Sequence, residues 1–453
     1  MRTIITTCVL AVTTLVVTSS ASALQNCSVK TDKKTGVIQV SAVSLTGTPL
    51  WGYAGDTVAS TFFNAATCTS AGKLVKCNLA DPGTDASRTP PAGCTLYLND
   101  AGADGVCAAF VPGCTPKVRN TDANGAALID QQRAQAGGVT AGDTPGFPVT
   151  ISAAGSYRLT SNLDVSGEAS PQNVTAVAIT ADNVTLDLNG FAILGPVTGC
   201  PTACSPNGGS GSGISSSNDR IKVINGSVSG MGSYGVHLGD DAIVETVKIH
   251  GCAGYGISLS NNGVVSKCTV TSNGDATDGK AGVAAWQTAV IRDNTISDNA
   301  GSGIEVGNAV IRDNSLWSNG LAAGSGAGVY CSYCTVAGNT ATENQDDGIS
   351  CVYCDVENNT ASLNGGRGIA CGSGACTIRG NSTYGNGQEG ISCSKGVVIG
   401  NTLTVNKSSG TSDLYVDSLS SYGQNTLLGV PNAVIAGGGE NIGGNLCNGA
   451  LCP

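Results

Sequence analysis

Charge is scarce in this sequence, and what there is leans negative. Charged residues make up 12% of the chain, with 22 Lys and Arg against 32 Asp and Glu. A net charge of −10 leaves no basic surface to neutralise phosphates, which excludes nucleic acid as a partner. Aromatics stand at 4% and there are two His, so a sugar-stacking cleft is poorly supplied. No apolar run is long enough to span a membrane. Disorder is excluded as well, because apolar residues recur at a fixed period.

Against these shortages stand 65 Gly and a repeat. Nine Gly-Ile or Gly-Val pairs begin at Gly213, Gly235, Gly256, Gly282, Gly303, Gly328, Gly348, Gly368 and Gly390, in steps of 20 to 26 residues. In phase with them, Asn294, Asn314, Asn339, Asn359, Asn381, Asn401 and Asn425 each precede Ser or Thr. Two independent markers on one period, interrupted only by loop insertions, define a solenoid.

One unit, Gly301 to Asn319, shows what repeats. Ile304 and Val306 alternate with Glu305, Val310 opens a second short strand that Asn314 ends, and Leu316 sits in a third. No unit carries a 3.6-residue apolar stripe of helical length. The fold class is therefore all-β: a parallel β-helix, in which stacking of coils creates the core. Coils lie about 4.8 Å apart, so a dozen make a rod of about 55–60 Å. The Asn residues stack in a column, and each amide is expected to bond its neighbours and the turn backbone. Earlier coils place Gly226, Val247 and Cys268 at this position.

These units resemble the right-handed parallel β-helix superfamily shared by pectate lyases, polygalacturonases, alginate-type epimerases and phage tailspikes. The segments Tyr157 to Val165 and Asn183 to Leu194 are similar to the opening coils of many secreted bacterial members. The resemblance covers roughly residues 145 to 445. It implies the fold and says little about activity, because the superfamily hosts lyases, hydrolases, epimerases and adhesins. Arg220 to Lys222, Asp240 with Asp241, and His250 echo polygalacturonase motifs, but their order along the chain differs from that family's, which argues against the assignment.

Read in order, residues 1–23 form a signal peptide: Arg2, an apolar run from Ile4 to Val17, and the Ala21-Ser22-Ala23 cleavage pattern. Asn26 before Cys27 argues against lipidation. The chain is thus expected to be secreted, to the outside or the periplasm. Residues 24–118 lack the period and hold six Cys, which suggests a small disulfide-rich β domain. The run Asp100 to Gly105 reads as a turn rather than a calcium loop, since Gly102 and Val111 stand where ligands are needed. Residues 119–148 form a linker, with a helical stretch over Ala126 to Gln135 that caps the first coil. The β-helix takes 149–445, and 446–453 is a tail closed by a local disulfide.

Cys331, Cys351, Cys371 and Cys393 recur with the coil and point inward; Cys334, Cys354 and Cys376 form a neighbouring column. The spacing equals the coil repeat, so it needs no metal to explain it. In an exported chain, pairs Cys331–Cys334, Cys351–Cys354 and Cys371–Cys376 are expected, with Cys200–Cys204 and Cys447–Cys452 as loop staples. Cys393, whose counterpart is Gly396, is expected to be the one free thiol.

Candidate site residues are few. On the outward face of the Gly-Ile/Val strands, His237, Glu305 and Tyr330 stand out, with Trp286 nearby, as candidates for contacting several sugars of a polysaccharide. His237 and Glu305 are three coils apart, about 14 Å, beyond the reach of a glycosidase carboxyl pair. A second column, Asp347, Arg367 and Glu389 with Asp346 beside it, is the candidate catalytic set. Some β-helix lyases use such acids to hold calcium and an Arg as base, so that column carries the resemblance's implication of a polysaccharide lyase or epimerase. The leading expectation is a secreted β-helix that presents an elongated face to polysaccharide or a cell surface. A purely structural rod is the third.

Overall fold

The structure, a computed structural model, describes residues 124–205, 208–277, 279–322, 326–372, 374–406, 412–429 and 434–452, preceded by the backbone of nine strands between Ile4 and Phe110. The chain divides into two compact units, Met1–Asp122 and Ala123–Pro453.

In the first unit the described strands form two antiparallel sheets. The five-stranded one includes Ile4–Leu10 and Thr13–Ser19, so the stretch read as a leader contributes a hairpin to it. The side chains of the seven Cys of this unit, and the turn after Asp100, lie outside the described residues.

The second unit is a right-handed parallel β-helix. One face is a 13-stranded sheet running from Val149–Ile151 to Ile435–Ala436, with one strand from each coil. The other is a 26-stranded sheet from Ala127–Ile129 to Ala450–Leu451, to which most coils give two strands joined by a bend. Alternation places residues as the pattern requires: Ile304, Ile311 and Leu316 are fully buried, while Glu305, Arg312 and Trp317 between them face out. The same inward positions recur in register, with Ile304 opposite Val329 and Val329 opposite Ile349. Each coil gains its apolar contacts from the coils above and below, which is why no single repeat would hold its shape.

The Gly landmarks have a packing cause. A Cβ on Gly303 would lie 2.7 Å from the carbonyl oxygen of Gly328 on the next coil and 2.9 Å from Asn319 Nδ2. Gly328 meets Gly348 and Asn344 in the same way, at 2.6 and 2.9 Å. The chain passes too close to its neighbour at this bend to accept any side chain.

The Asn column is a closed hydrogen-bond ladder. Asn314 Oδ1 accepts the backbone N–H of Asn294 at 3.1 Å and its Nδ2 at 2.9 Å. Asn314 Nδ2 donates to Asn339 Oδ1 and to the carbonyl of Ile291, both at 2.9 Å. At inner rungs such as Asn314 both donors and both acceptor sites of the amide are used, as burial demands. Cys268 heads the ladder by donating its N–H to Asn294, and Asn445 ends it. A second ladder of the same design stands at the other end of the short strands, through Asn273, Asn299, Asn319, Asn344, Asn364, Asn386 and Asn406. The residue before each rung sits in the left-handed region, as Asp313 (φ 57°) and Ser318 (φ 55°) do, turning the chain between strands.

Three expectations change. Of the expected helical cap, Ala127–Ile129 is a strand that pairs with Gly155–Leu159, and only Gln131–Ala136 is helical, capped by the Asp130 carboxylate. Leu446–Cys447 pairs with Thr426–Leu428, so what reads as a tail begins inside the sheet.

The third concerns cysteine. Cys200–Cys204, Cys371–Cys376 and Cys447–Cys452 are bonded, but Cys331, Cys334, Cys351 and Cys354 carry free thiols, as do Cys252, Cys268 and Cys393. The pairs Cys331–Cys334 and Cys351–Cys354 do not close because Cys354 Sγ points along the stack. It accepts the Cys334 N–H at 3.2 Å and lies 3.8 Å from Cys331 Sγ of the preceding coil. The bonded pair Cys371–Cys376 spans a turn two residues longer, with Gly372 and Gly374 in it. Cys393 is thus one of seven free thiols among the described residues. Cys252 and Cys268 each occupy the position of a ladder Asn, in a coil that precedes the Asn run.

Candidate functional site

The 13-stranded sheet carries the outward column expected of it. His237 pairs with Ser215 and Ser258, and Glu305 with Ala284 and Tyr330. Two coils of Ser258 and Ala284 separate His237 from Glu305, so the structure does not bring them together. His237 stacks on Tyr234, ring centroids 4.7 Å apart. Burial lowers its pKa, and its Nδ1 has no hydrogen-bond partner among the described residues. Trp286 leaves this column. It follows Ala285, which pairs with Val306, and stands at the strand end with 74% of its surface exposed. On later coils the same edge presents Tyr333 and Tyr353, stacked at 4.9 Å and exposed. Tyr330 remains exposed beside Glu305.

The opposite edge, just before each landmark Gly, holds the second column. The carbonyls of Ser302, Ala327, Asp347, Arg367 and Glu389 each accept the N–H of a landmark Gly on the preceding coil. The structure does bring Asp347, Arg367 and Glu389 together. Arg367 donates its Nε to Glu389 Oε2 at 3.1 Å and its backbone N–H to Asp347 Oδ1 at 2.7 Å. Asp347 is buried, which pushes its carboxyl up to about 6 against the Arg367 N–H; Asp346 adds to the rise. A carboxyl of that acidity can take or give a proton near neutral pH. On the next coil Asp413 stands one position further along, where earlier coils have the landmark Gly; it is buried and its carbonyl accepts the N–H of Ile391. Burial raises its carboxyl too, and Oδ1 lacks a partner among the described residues.

Towards the N-terminal end of this same edge lies a cleft of about 580 Å³. Its walls include Tyr234, Tyr255, Asp275 and Lys280, with the loop held by Cys200–Cys204 on one side. Tyr234 and Tyr255 precede landmark Gly residues on successive coils, and their rings stack within 5° of parallel at 5.9 Å. The Lys280 ammonium lies 5.4 Å from the centre of the Tyr255 ring. Asp275 is held below the ordinary carboxylate range by hydrogen bonds from Thr277. From Tyr255 to Asp347 the column passes four coil steps, about 19 Å, through Ala281, Ser302 and Ala327. Cleft and carboxyl column thus share one line along the rod.

Sequence reasoning missed Tyr234, Tyr255, Asp275, Lys280 and Asp413. Tyr234 and Tyr255 carried a signal, since each precedes a landmark Gly, five and four coils before Asp347. Lys280 and Asp275 sit in a loop insertion, where no period marks them. The polygalacturonase-like residues have structural partners instead: Arg220 pairs with Asp182 at 3.0 Å, and Asp240 accepts the Asn261 N–H at 3.0 Å.

The protein is a right-handed parallel β-helix protein. The family described as "Right handed beta helix region" matches residues 212–354 and 287–409. No curated protein matches the sequence. Among solved structures it is similar to the A-module of the Azotobacter vinelandii mannuronan C-5 epimerase AlgE4, at 13% identity and TM-score 0.38 over 62% of this chain and 91% of that one. It is also similar to the catalytic unit of a GH87 α-1,3-glucanase from Streptomyces thermodiastaticus, at 15% and 0.35 over 96% and 88%. Pectate lyase Pel9A is a third, at 14% and 0.32 over 68% and 76%.

Proposed function

We propose that this protein is exported and binds polysaccharide along its rod, with Tyr234, Tyr255 and Lys280 at the cleft as the principal contacts. The observation that carries the reading is the parallel Tyr234–Tyr255 stack opening into a cleft of about 580 Å³. Clefts of this size, with aromatic walls and a few polar groups, are where proteins hold small or chain-like ligands. The exposed rings of Trp286, Tyr330, Tyr333 and Tyr353 extend the surface on the other edge of the 13-stranded sheet, near Glu305, and His237 supports Tyr234 from behind. Among the described residues no helix is long and apolar enough to cross a membrane. The test is titration against acidic and neutral polysaccharides, with and without calcium. Binding that Tyr234→Ala and Tyr255→Ala each weaken about tenfold supports the reading. Absence of binding to every polysaccharide leaves a structural rod. N-terminal sequencing of secreted protein should begin near Leu24.

A second reading has its own observation. Asp347, with its carboxyl near 6 beside Arg367 and Glu389, has the make-up of a proton-transfer site, and a polysaccharide lyase or epimerase would use these three, with calcium as cofactor. Formation of unsaturated sugars, followed by their absorbance and abolished by Arg367→Ala, would replace the binding reading with this one.

A further inference from the structure

Two adjacent coils bring three cysteine sulfurs to one point in the interior. Cys331 lies in the strand Val329–Ser332 of the 13-stranded sheet, Cys334 follows the next turn, and Cys354 occupies the position of Cys334 one coil on. Their Sγ atoms all lie within 4.8 Å of one another, and Cys331 to Cys354 is 3.8 Å. All three residues are buried. The coil period accounts for the two columns of cysteine. It does not account for three sulfurs from two coils converging, when Cys371 and Cys376 on a neighbouring coil are joined to each other.

We propose that Cys331, Cys334 and Cys354 form a three-thiolate site for copper(I), enclosed in the β-helix. Three sulfurs in a plane around one ion, each at about 2.3 Å, stand about 4.0 Å apart, close to the separation seen; a disulfide requires about 2.05 Å. Thiolates select soft ions, and copper(I) is satisfied by few ligands, whereas structural zinc takes four. The inward residues of these coils, Val329, Val336, Ala341, Ile349, Val356 and Ala361, supply no fourth ligand. The nearby Asn339, Asn344, Asn359 and Asn364 are committed to their ladders. Cys351 also approaches the Cys354 thiol, but it groups with the Cys371–Cys376 bond, its sulfur lying within 4.8 Å of both of those sulfurs. Binding is an exchange of protons for metal. The thiols release their protons to solvent, three copper–sulfur bonds form, and neither copper nor sulfur changes oxidation state. The Cys334 N–H, 3.2 Å from Cys354 Sγ, offsets part of the charge on that sulfur. Because the site is enclosed, loading accompanies folding.

The test refolds the reduced full chain without oxygen, with copper(I) supplied as its acetonitrile complex, and desalts it. One copper per chain is expected, with X-ray absorption reporting three sulfurs at about 2.3 Å. Cys331→Ser and Cys354→Ser should each lose copper to a chelator about tenfold or more readily, while Cys268→Ser, a buried thiol several coils away, should match the parent. Should Cys354→Ser fail to fold, Cys334→Ala is read in its place, with circular dichroism confirming the fold. Copper retained equally by these variants would overturn the site. So would no retention by natively folded protein, a four-sulfur zinc site lost in Cys351→Ser, or a Cys331–Cys334 disulfide that forms even with copper(I) present.

Discussion

Asn314 directs both of its ladder donors to one atom of Asn339: the backbone N–H at 3.0 Å and Nδ2 at 2.9 Å from the same Oδ1. That oxygen is buried, so no water replaces it. Asn339→Ala orphans two buried donors at about 1–3 kcal/mol each, and should destabilise the β-helix by about 3 kcal/mol in urea unfolding. Asn445→Ala, at the ladder's end, should cost less, because the last coil frays to expose the freed groups of Asn425. Equal losses at the two positions would count against cooperative stacking as the source of the effect.

Asp347 predicts an inverted pH dependence. Its carboxyl is raised by burial to about 6, so the folded state favours the protonated form. The stability this contributes is fully present below the unfolded pKa near 4 and is lost as pH rises through about 6. Asp347→Asn keeps an oxygen for the Arg367 N–H and removes the buried charge. It should stabilise the protein by roughly 2 kcal/mol at pH 7.5 and by nothing measurable at pH 3.5. Unfolding midpoints of parent and variant across that range check it; a gain that is the same at both ends would refute the assignment.

Leu363 holds φ at 56°, in the left-handed bend before the ladder residue Asn364. Its counterparts on neighbouring coils are Glu343 and Gly385. A Leu there is strained by its Cβ, at about 1–2 kcal/mol, and Asn tolerates the conformation. Leu363→Asn should raise stability by about 0.5–1 kcal/mol, while Leu363→Ala, which keeps the Cβ, should not. Thermal melts of the two side by side decide it.

Burial pushes the Cys252 thiol up to about 12 and that of Cys268 up to about 11. Neither forms thiolate at pH 8, so iodoacetamide should leave both unlabelled in the folded protein and label both after unfolding in urea without reductant. The same peptide map should find Cys200–Cys204 and Cys447–Cys452 bonded in either state. Labelling of Cys252 in the native state would show that the coil around it opens.

The β-helix was legible in the sequence because its period is enforced at every coil. Gly303 cannot become anything larger without striking Gly328, and Asn314 cannot be lost without orphaning Asn294, so both recur where a reader can count them. The second Asn ladder recurs on the same terms and was readable too, through Asn299, Asn319, Asn344 and Asn364. Alternation likewise sets the register of His237, Ser258, Ala284, Glu305 and Tyr330 on the 13-stranded sheet, for the same reason. What only the tertiary structure decided is where side chains meet across insertions and between coils. Lys280 reaches Tyr255 from a loop whose length breaks the period, and the Cys200–Cys204 loop walls the cleft from far earlier in the chain. Cys354 is not bonded to Cys351 of its own coil, and its sulfur reaches to 3.8 Å from that of Cys331 on the preceding one. Spacing records which residues share a coil position; the direction of a side chain within a packed interior depends on every neighbour at once.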